Sequence, residues 1–359
     1  MLALLFACTP GPATTTDSTG AGELTASSTS STTSLDTTTS TSTTTTPEPT
    51  TTTGAGLCGD GVIDPGQLCF ALARSYAIGG TLVALAAGDL DDDDRLDLVA
   101  GDINGQKIER LRGLGGGEFE PQGPALAAFQ PRDVVIADLD GDGRVDLVAA
   151  NEGSGDLSVA LSDGPGSFLA PVQYPVGLSP YDVALADLDA DGDLDLVSAD
   201  KDADAVSVLL AVGDGSFAAP LSLPVVPEPR SLAIGDLDGD GALDIVVASY
   251  TYPDLNVLLG DGAGGFAEPG FVPHAAGIYA VVVADLDHDG AADIVAVDQE
   301  LDALIVLRNI GPGKLPSYAE FAVGSGPFDL VVRDLDGDGA LDVATADGSG
   351  SVTILRADP

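Results

Sequence analysis

Asp138, Asp140, Asp142 and Asp146, with Gly143 among them, spell D-x-D-x-D-G-x-x-D. The set recurs as Asp187, Asp189, Asp191, Asp195; as Asp236, Asp238, Asp240, Asp244; as Asp285, Asp287, Asp289, Asp293; and as Asp334, Asp336, Asp338, Asp342. A first copy, Asp89, Asp91, Asp93, Asp97, has Asp94 where the others have glycine. Alternate aspartates converge on one point when the backbone between them curls, and glycine permits the positive φ of such a curl. Aspartate tolerates the same geometry at some cost, so the first copy is the weakest site. Hard oxygen ligands in this number suit Ca²⁺ better than Mg²⁺, which keeps more of its water. The expectation is one Ca²⁺ per loop, about six in all. Position 12 of each loop is Ala100, Ala149, Ser198, Val247, Ala296 or Thr345. The bidentate glutamate that closes an EF-hand is therefore missing. Without a cation, neighbouring carboxylates repel by roughly 1–4 kcal/mol per pair at a surface-like dielectric.

Such loops need a scaffold that repeats with them. Asp-Leu-Asp begins at 89, 138, 187, 236, 285 and 334, a constant interval of 49 residues, and six intervals fill residues 66–359. Each period reads alike. An apolar run enters the loop, as in VVIAD at 134–138, and another leaves it, as in VDLVAA at 145–150. A third run follows a short polar stretch, as in SVALS at 158–162. A Gly-rich turn then leads to an aromatic that is expected to open a fourth strand: Phe119, Phe168, Phe217 and Phe266, with Leu315 in the fifth copy. Short runs of Val, Leu, Ile and Ala predict strands buried on both faces. Four strands per repeat, six times over, predict an all-β fold, a six-bladed β-propeller. Seven blades are the alternative, but residues 57–68 are too few for another. Residues 69–78 align with a fourth strand and are expected to complete the last blade, removing its open edge.

The strings ADLDGDGRVDLV (137–148) and GDLDGDGALDIV (235–246) resemble the core motif of the FG-GAP/VCBS repeat, the integrin-α-type propeller repeat, and the likeness covers residues 66–359. The resemblance implies Ca²⁺ in the loop between the first and second strands, and a role in extracellular adhesion or ligand binding. Some members of that family are attached to lyases, hydrolases or lectins. On this topology the Asp loops and the Gly-rich turns share one face. The opposite face would carry Asn104, Lys107, Arg132, Asn151, Tyr181, Lys201, Arg230, Tyr250, Tyr252, His274 and Tyr279. Tyr181, Arg230, Tyr250, Tyr252 and Tyr279 are the expected partner-binding anchors, because Tyr and Arg dominate interface energetics. His288, at a variable loop position, is expected to be solvated.

The leading residues read differently. Residues 1–8 end in Leu5-Phe6-Ala7-Cys8, which resembles a bacterial lipobox with Cys8 lipidated. Phe6 departs from the small residue usual there, no Lys or Arg precedes Arg74, and a chance cysteine is the alternative reading. From Thr9 to Gly56, 29 of 48 residues are Ser or Thr, which cannot bury enough surface to offset chain entropy and predicts a disordered stalk, 9–56. Residues 57–69 contain Cys58-Gly-Asp-Gly-Val-Ile-Asp-Pro-Gly-Gln-Leu-Cys69 and resemble a Cys-rich element of bacterial surface proteins. A Cys58–Cys69 disulfide would contribute roughly 2–3 kcal/mol; two free thiols are the alternative.

Charge narrows the function. The chain has 57 Asp and Glu against 13 Lys and Arg, a formal net charge of −44. That excludes nucleic-acid phosphates as partners and a basic patch on anionic lipid. No apolar run reaches the roughly 18 residues of a spanning helix, so a membrane would be met only through a lipid anchor. With 44% hydrophobic residues, the chain is no acidic disordered tail. Acids are committed to repeat positions, only His274 and His288 are present, and no G-x-S-x-G occurs, all of which argue against an enzyme. The expectation is a monomeric calcium-binding module, extracellular or lipid-anchored at a bacterial outer membrane, that binds protein or polysaccharide. The alternative is an extracellular polysaccharide lyase or hydrolase, or a lectin, on the same scaffold.

Overall fold

A computed structural model describes residues 75–273, 277–309, 311, 315, 318–335 and 337–357. The expectations for Cys8, the stalk, Cys58, Cys69, His274 and Asp336 lie outside the described residues.

The 49-residue period becomes six antiparallel sheets in chain order, the blades of a six-bladed β-propeller. In the second blade the strands are Pro131–Ala137, Asp146–Asn151, Asp156–Ala160 and Val172–Pro175. The third has Pro180–Ala186, Asp195–Asp200, Ala205–Leu209 and Leu221–Pro224. The first strands of consecutive blades, from Leu82–Gly88 to Pro327–Arg333, pack against one another and line the centre. Each second strand lies between two neighbours of its own blade and under an adjacent blade. Asp146–Asn151, Asp195–Asp200, Asp244–Ser249 and Asp293–Asp298 are accordingly buried at every residue. This is why those runs are apolar without alternation.

Five clusters of buried side chains join the blades pairwise. Leu147, Ala149 and Ala160 meet the first blade's Val99 and Ile108. Leu157 and Val159 meet Leu196 and Leu209 of the third blade, and Ile294 and Ile305 meet Val246 and Leu255. Among the described residues no such cluster joins the last blade to the first. There Leu85 (67% exposed) and Val352 (66%) remain in contact with solvent.

One expectation needs correction, and a second falls mostly outside the described residues. Phe168 closes a small hairpin, Ser162–Gly164 with Ser167–Phe168, and Phe217 and Phe266 form single bridges to Ala211 and Gly260. The fourth strands in these blades begin later, at Val172, Leu221 and Gly270. These aromatics therefore fasten the Gly-rich turn rather than open a strand; Phe217 is 8% exposed in the seam between blades. Phe119 alone lies within its strand, Glu118–Ala127. The second concerns residues 69–78, of which 75–78 carry no strand, and the last sheet has three strands among the described residues. Tyr76 nonetheless stands edge-on to Phe119 at 5.8 Å, and its hydroxyl accepts the Phe119 N–H at 3.1 Å. Tyr174 meets Phe217 of the following blade at 5.4 Å in the same edge-on manner and at the same sequence separation. Tyr76 thus sits on the first blade as a fourth-strand residue of the preceding blade would.

Candidate metal centre and the opposite face

The Asp loops lie at one end of the first strands, and their geometry follows from the spacing. In the second blade Asp138 accepts three loop N–H groups: Gly141 (2.9 Å) and Asp142 (3.2 Å) on Oδ1, and Gly143 (2.9 Å) on Oδ2. Asp140 Oδ1 accepts the Asp142 N–H at 3.1 Å, and Asp142 Oδ1 accepts that of Arg144 at 2.9 Å. The chain curls around its own carboxylates, and residue 143 must take φ of +88°. Nothing lies within 4 Å of a Cβ placed there, so the glycine answers to the backbone angle and not to space. Asp94 takes the equivalent turn at +61°.

The fourth aspartate does something the spacing does not announce. Asp146 is fully buried, its Oδ2 accepting the Leu139 N–H (2.8 Å) and its Oδ1 that of Ser162 (2.7 Å). Asp195 holds Leu188 and Ala211, both at 2.8 Å, and Asp244 holds Leu237 (2.8 Å) and Gly260 (2.9 Å). Asp293 holds Leu286 and Asn309, and Asp342 holds Leu335 and Ala357. Each pins the loop to the end of the third strand. Burial pushes Asp146 up to about 6, against the backbone donors that pull the other way. Asp97, Asp195, Asp244 and Asp293 are raised for the same reason.

The loops also clasp the next blade. The Leu90 and Leu188 carbonyls accept the N–H groups of Gly166 (2.6 Å) and Gly264 (3.3 Å), and the Leu237 carbonyl accepts Asn309 Nδ2 at 2.7 Å. A loop held in shape therefore holds the tip of the following blade.

In five loops three carboxylates each offer an oxygen within 4.8 Å of the others. Asp138, Asp140 and Asp146 converge, as do Asp187, Asp189, Asp195 and Asp236, Asp238, Asp244. In the first and fifth loops the converging sets are Asp89, Asp91, Asp93 and Asp285, Asp287, Asp289, so the buried fourth residue stands outside them. Asp142, Asp191 and Asp240 are likewise outside their sets. In the sixth, Asp334 caps Gly337 (2.6 Å) and Gly339 (3.0 Å) as its counterparts do. These all-oxygen sets fit a hard divalent cation. Asp91 Oδ1 is in addition buried with no hydrogen-bond partner, an acceptor that a cation would satisfy.

Two arginines that sequence reasoning passed over address these loops. Arg112 Nε lies 2.7 Å from Asp91 Oδ2, and its Nη2 lies 3.0 Å from Asp93 Oδ2. Arg308 contacts Asp287 and Asp289. They occupy one register position, which holds Leu161, Leu210 and Leu259 in the three blades between. They mark the two loops whose converging sets differ, and alignment of the copies would have exposed them. Arg95 and Arg112 hold Asp93 down to about 2.

On the opposite face the expected residues divide. Tyr181, Arg230, Tyr250 and Tyr279 come together: the Arg230 guanidinium lies 4.8 Å from the Tyr181 and Tyr279 ring centres and 5.4 Å from that of Tyr250. The Arg132 guanidinium likewise lies 4.8 Å from the Tyr181 ring centre, and it pairs with Glu152 at 2.6 Å. Tyr252 stands apart from these ring contacts, 37% exposed. Asn151 is no surface residue: it is 1% exposed and donates to Asp156 (2.7 Å) and Ser158 (2.8 Å). Its place at the end of a doubly covered strand buries it. Lys107 and Lys201 pair with Glu109 and Asp202, Asn104 donates to Thr81, and His288 is exposed beside the Gly339 carbonyl.

Comparison of the sequence with known families matches the FG-GAP-like repeat at residues 89–149, 138–198, 187–247, 236–296 and 289–345. The chain belongs to the FG-GAP-like repeat family. Comparison with curated proteins finds no match. Among solved structures, this FG-GAP-like chain is similar to an Agrocybe aegerita lectin whose structure concerns recognition of non-reducing terminal N-acetylglucosamine, at 20% identity and TM-score 0.52, covering 75% of this chain and 79% of the lectin. It is also similar to a Staphylococcus aureus virginiamycin B lyase (11%, 0.53, covering 77% and 81%) and to a Lactobacillus plantarum protein (18%, 0.53, covering 80% and 87%). At these identities the likeness is one of fold.

Proposed function

We propose that this FG-GAP-like propeller is a calcium-stabilised extracellular binding module, and not an enzyme. The observation that carries the reading is the convergence of three carboxylate oxygens within 4.8 Å in five loops at one register. Ca²⁺ in each loop would relieve the repulsion and leave the loop shaped to hold the next blade through Leu90, Leu188 and Leu237. With free Ca²⁺ at about ten times the dissociation constant, each site adds on the order of 1.4 kcal/mol, and six add roughly 8 kcal/mol, comparable with the whole stability of a domain. The face away from the loops, with Tyr181, Arg230, Tyr250 and Tyr279 clustered and Tyr252 nearby in sequence, is the proposed contact surface for an extracellular protein or polysaccharide. A lipid on Cys8, a Ser/Thr-rich stalk and a Cys58–Cys69 disulfide would present it at a bacterial outer membrane as a monomer.

The binding reading is tested by pull-down from cell envelope and extracellular matrix with and without chelator; retention of the same material in both, or of none, contradicts it. Labelling with radioactive palmitate, lost on Cys8→Ala, tests the anchor. A second reading, a polysaccharide lyase, rests on Asp133 and Asp182, two carboxyls of neighbouring first strands that interact with each other. Burial raises both, and one proton shared between them would supply an acid and a base. Unsaturated sugar products in an absorbance screen would favour it.

A further inference from the structure

The repeats are near-uniform where they build the scaffold, which makes one variable position informative. The second residue of each first strand is Val83, Arg132, Tyr181, Arg230, Tyr279 and Phe328 in order around the propeller. These residues stand at the end of the central strands away from the Asp loops. Their side chains meet across blades. Arg132 and Arg230 both lie over Tyr181, Arg230 lies over Tyr279, and Tyr279 stands edge-on to Phe328 at 5.1 Å. Tyr250 adds a further ring, 6.3 Å from Tyr279. A mouth of alternating guanidinium and aromatic groups is not needed to pack a propeller, since Val83 serves at the same position in the first blade.

The two arginines differ in what satisfies them. Arg132 has Glu152. Arg230 has no carboxylate within ion-pair distance among the described residues, and its buried Nε has no hydrogen-bond partner. In a chain with 57 acids and 13 bases, a base left without an acid is out of character. The ring faces attract the cation, but they leave its in-plane N–H donors unused. Those donors form a fork that matches a carboxylate.

Charge selects the ligand. Glu152 neutralises Arg132, which leaves Arg230 as the one unpaired charge of the cluster among the described residues. The balance suits a single negative charge, and the chain's −44 penalises a highly charged phosphate or sulfate. Tyrosine hydroxyls around the fork suit a ring carrying many hydroxyl groups. We propose that this cluster is a receptor for one carboxylate of an acidic sugar, with Arg230 pairing the carboxylate and the hydroxyls of Tyr181, Tyr250 and Tyr279 holding the sugar ring. This rests on the binding-module reading above and names its ligand class.

The test uses the full chain saturated with Ca²⁺, with galacturonate and glucuronate as probes and galactose as the neutral control. The protein has no tryptophan, so tyrosine emission reports on the cluster. Both uronates should change that emission saturably, galactose should not, and Arg230→Gln should weaken binding by about tenfold or more. Arg230→Lys, which keeps the charge but not the fork, should fall between. Ca²⁺ stoichiometry and melting temperature, measured on the same variants, should stay unchanged, which separates failure of this site from failure of the calcium reading. If Arg230→Gln unfolds, the Lys variant carries the comparison. Equal response to galactose, no response to either uronate, or tighter binding of a peptide carboxylate such as N-acetylglycine overturns the assignment. So does a uronate response retained in Arg230→Gln, which would place the sugar on the loop ions.

Discussion

Asp146 makes the metal-free protein lose stability as pH rises, contrary to the usual behaviour of a paired carboxylate. Burial lifts it from 3.8 to about 6, while its unfolded value stays at 3.8. The folded state therefore binds the extra proton between these values. The stability linked to that proton is fully present below 3.8 and is lost as pH rises through about 6. A rise from 3.8 to about 6 corresponds to roughly 3 kcal/mol. Asp97, Asp195, Asp244 and Asp293 are raised by the same burial and act in the same sense. Asp93, held at about 2 by Arg95 and Arg112, acts in the opposite sense, but its window lies below 3.8 and does not overlap. The assay is urea unfolding of the chelated protein at about pH 4 and about pH 7, beside Asp146→Asn, whose side chain does not titrate. The wild type should lose about 2.4 kcal/mol more than the variant between the two conditions, because at pH 4 part of the window is already spent. Saturating Ca²⁺ should reverse the slope, because the ion takes the ionised carboxylate. Parallel pH curves for wild type and variant would show that Asp146 carries no such proton.

Removing the clamp at Asp195 with Asp195→Ala strands the Leu188 and Ala211 N–H groups and should cost about 2–5 kcal/mol in urea unfolding, with or without calcium. Leu196→Ala opens a cavity in the seam between the second and third blades, where Leu196 is fully buried, and should cost about 3 kcal/mol by the same measurement. Arg112→Leu with Arg308→Leu installs the residue found at that register in the three blades between. It removes two competing cations, so calorimetric titration should show tighter Ca²⁺ binding at two sites, by about tenfold at low salt and less at high salt.

Much of this molecule could be read before its coordinates, for a definite reason. A constant 49-residue interval fixes blade number, strand order and loop position together, and a propeller leaves a single arrangement for them. The convergence of Asp138, Asp140 and Asp146 was legible because alternate side chains of a tight curl must meet. What could not be read was how the carboxylates are shared. Asp146 looks like a fourth equivalent ligand in the sequence, yet both its oxygens are engaged by backbone donors seven residues before it and sixteen after. The fourth strand was misplaced because Phe168, Phe217 and Phe266 carry strand propensity but serve the turn. Asn151 reads as a loop residue because it is a polar side chain at a strand end; only the blade on top of it buries it. Arg112 and Arg308 were visible in the register, but long-range ion pairs leave no local pattern.

Equilibrium dialysis of the full chain against radioactive calcium, before and after chelation, decides whether the Asp loops hold metal. Each of the five converging loops should take up one ion and the sixth a further one, with a melting temperature that falls when they are removed. A folded propeller that takes up less than one ion per chain in millimolar calcium, and melts at the same temperature with chelator, would contradict the calcium reading.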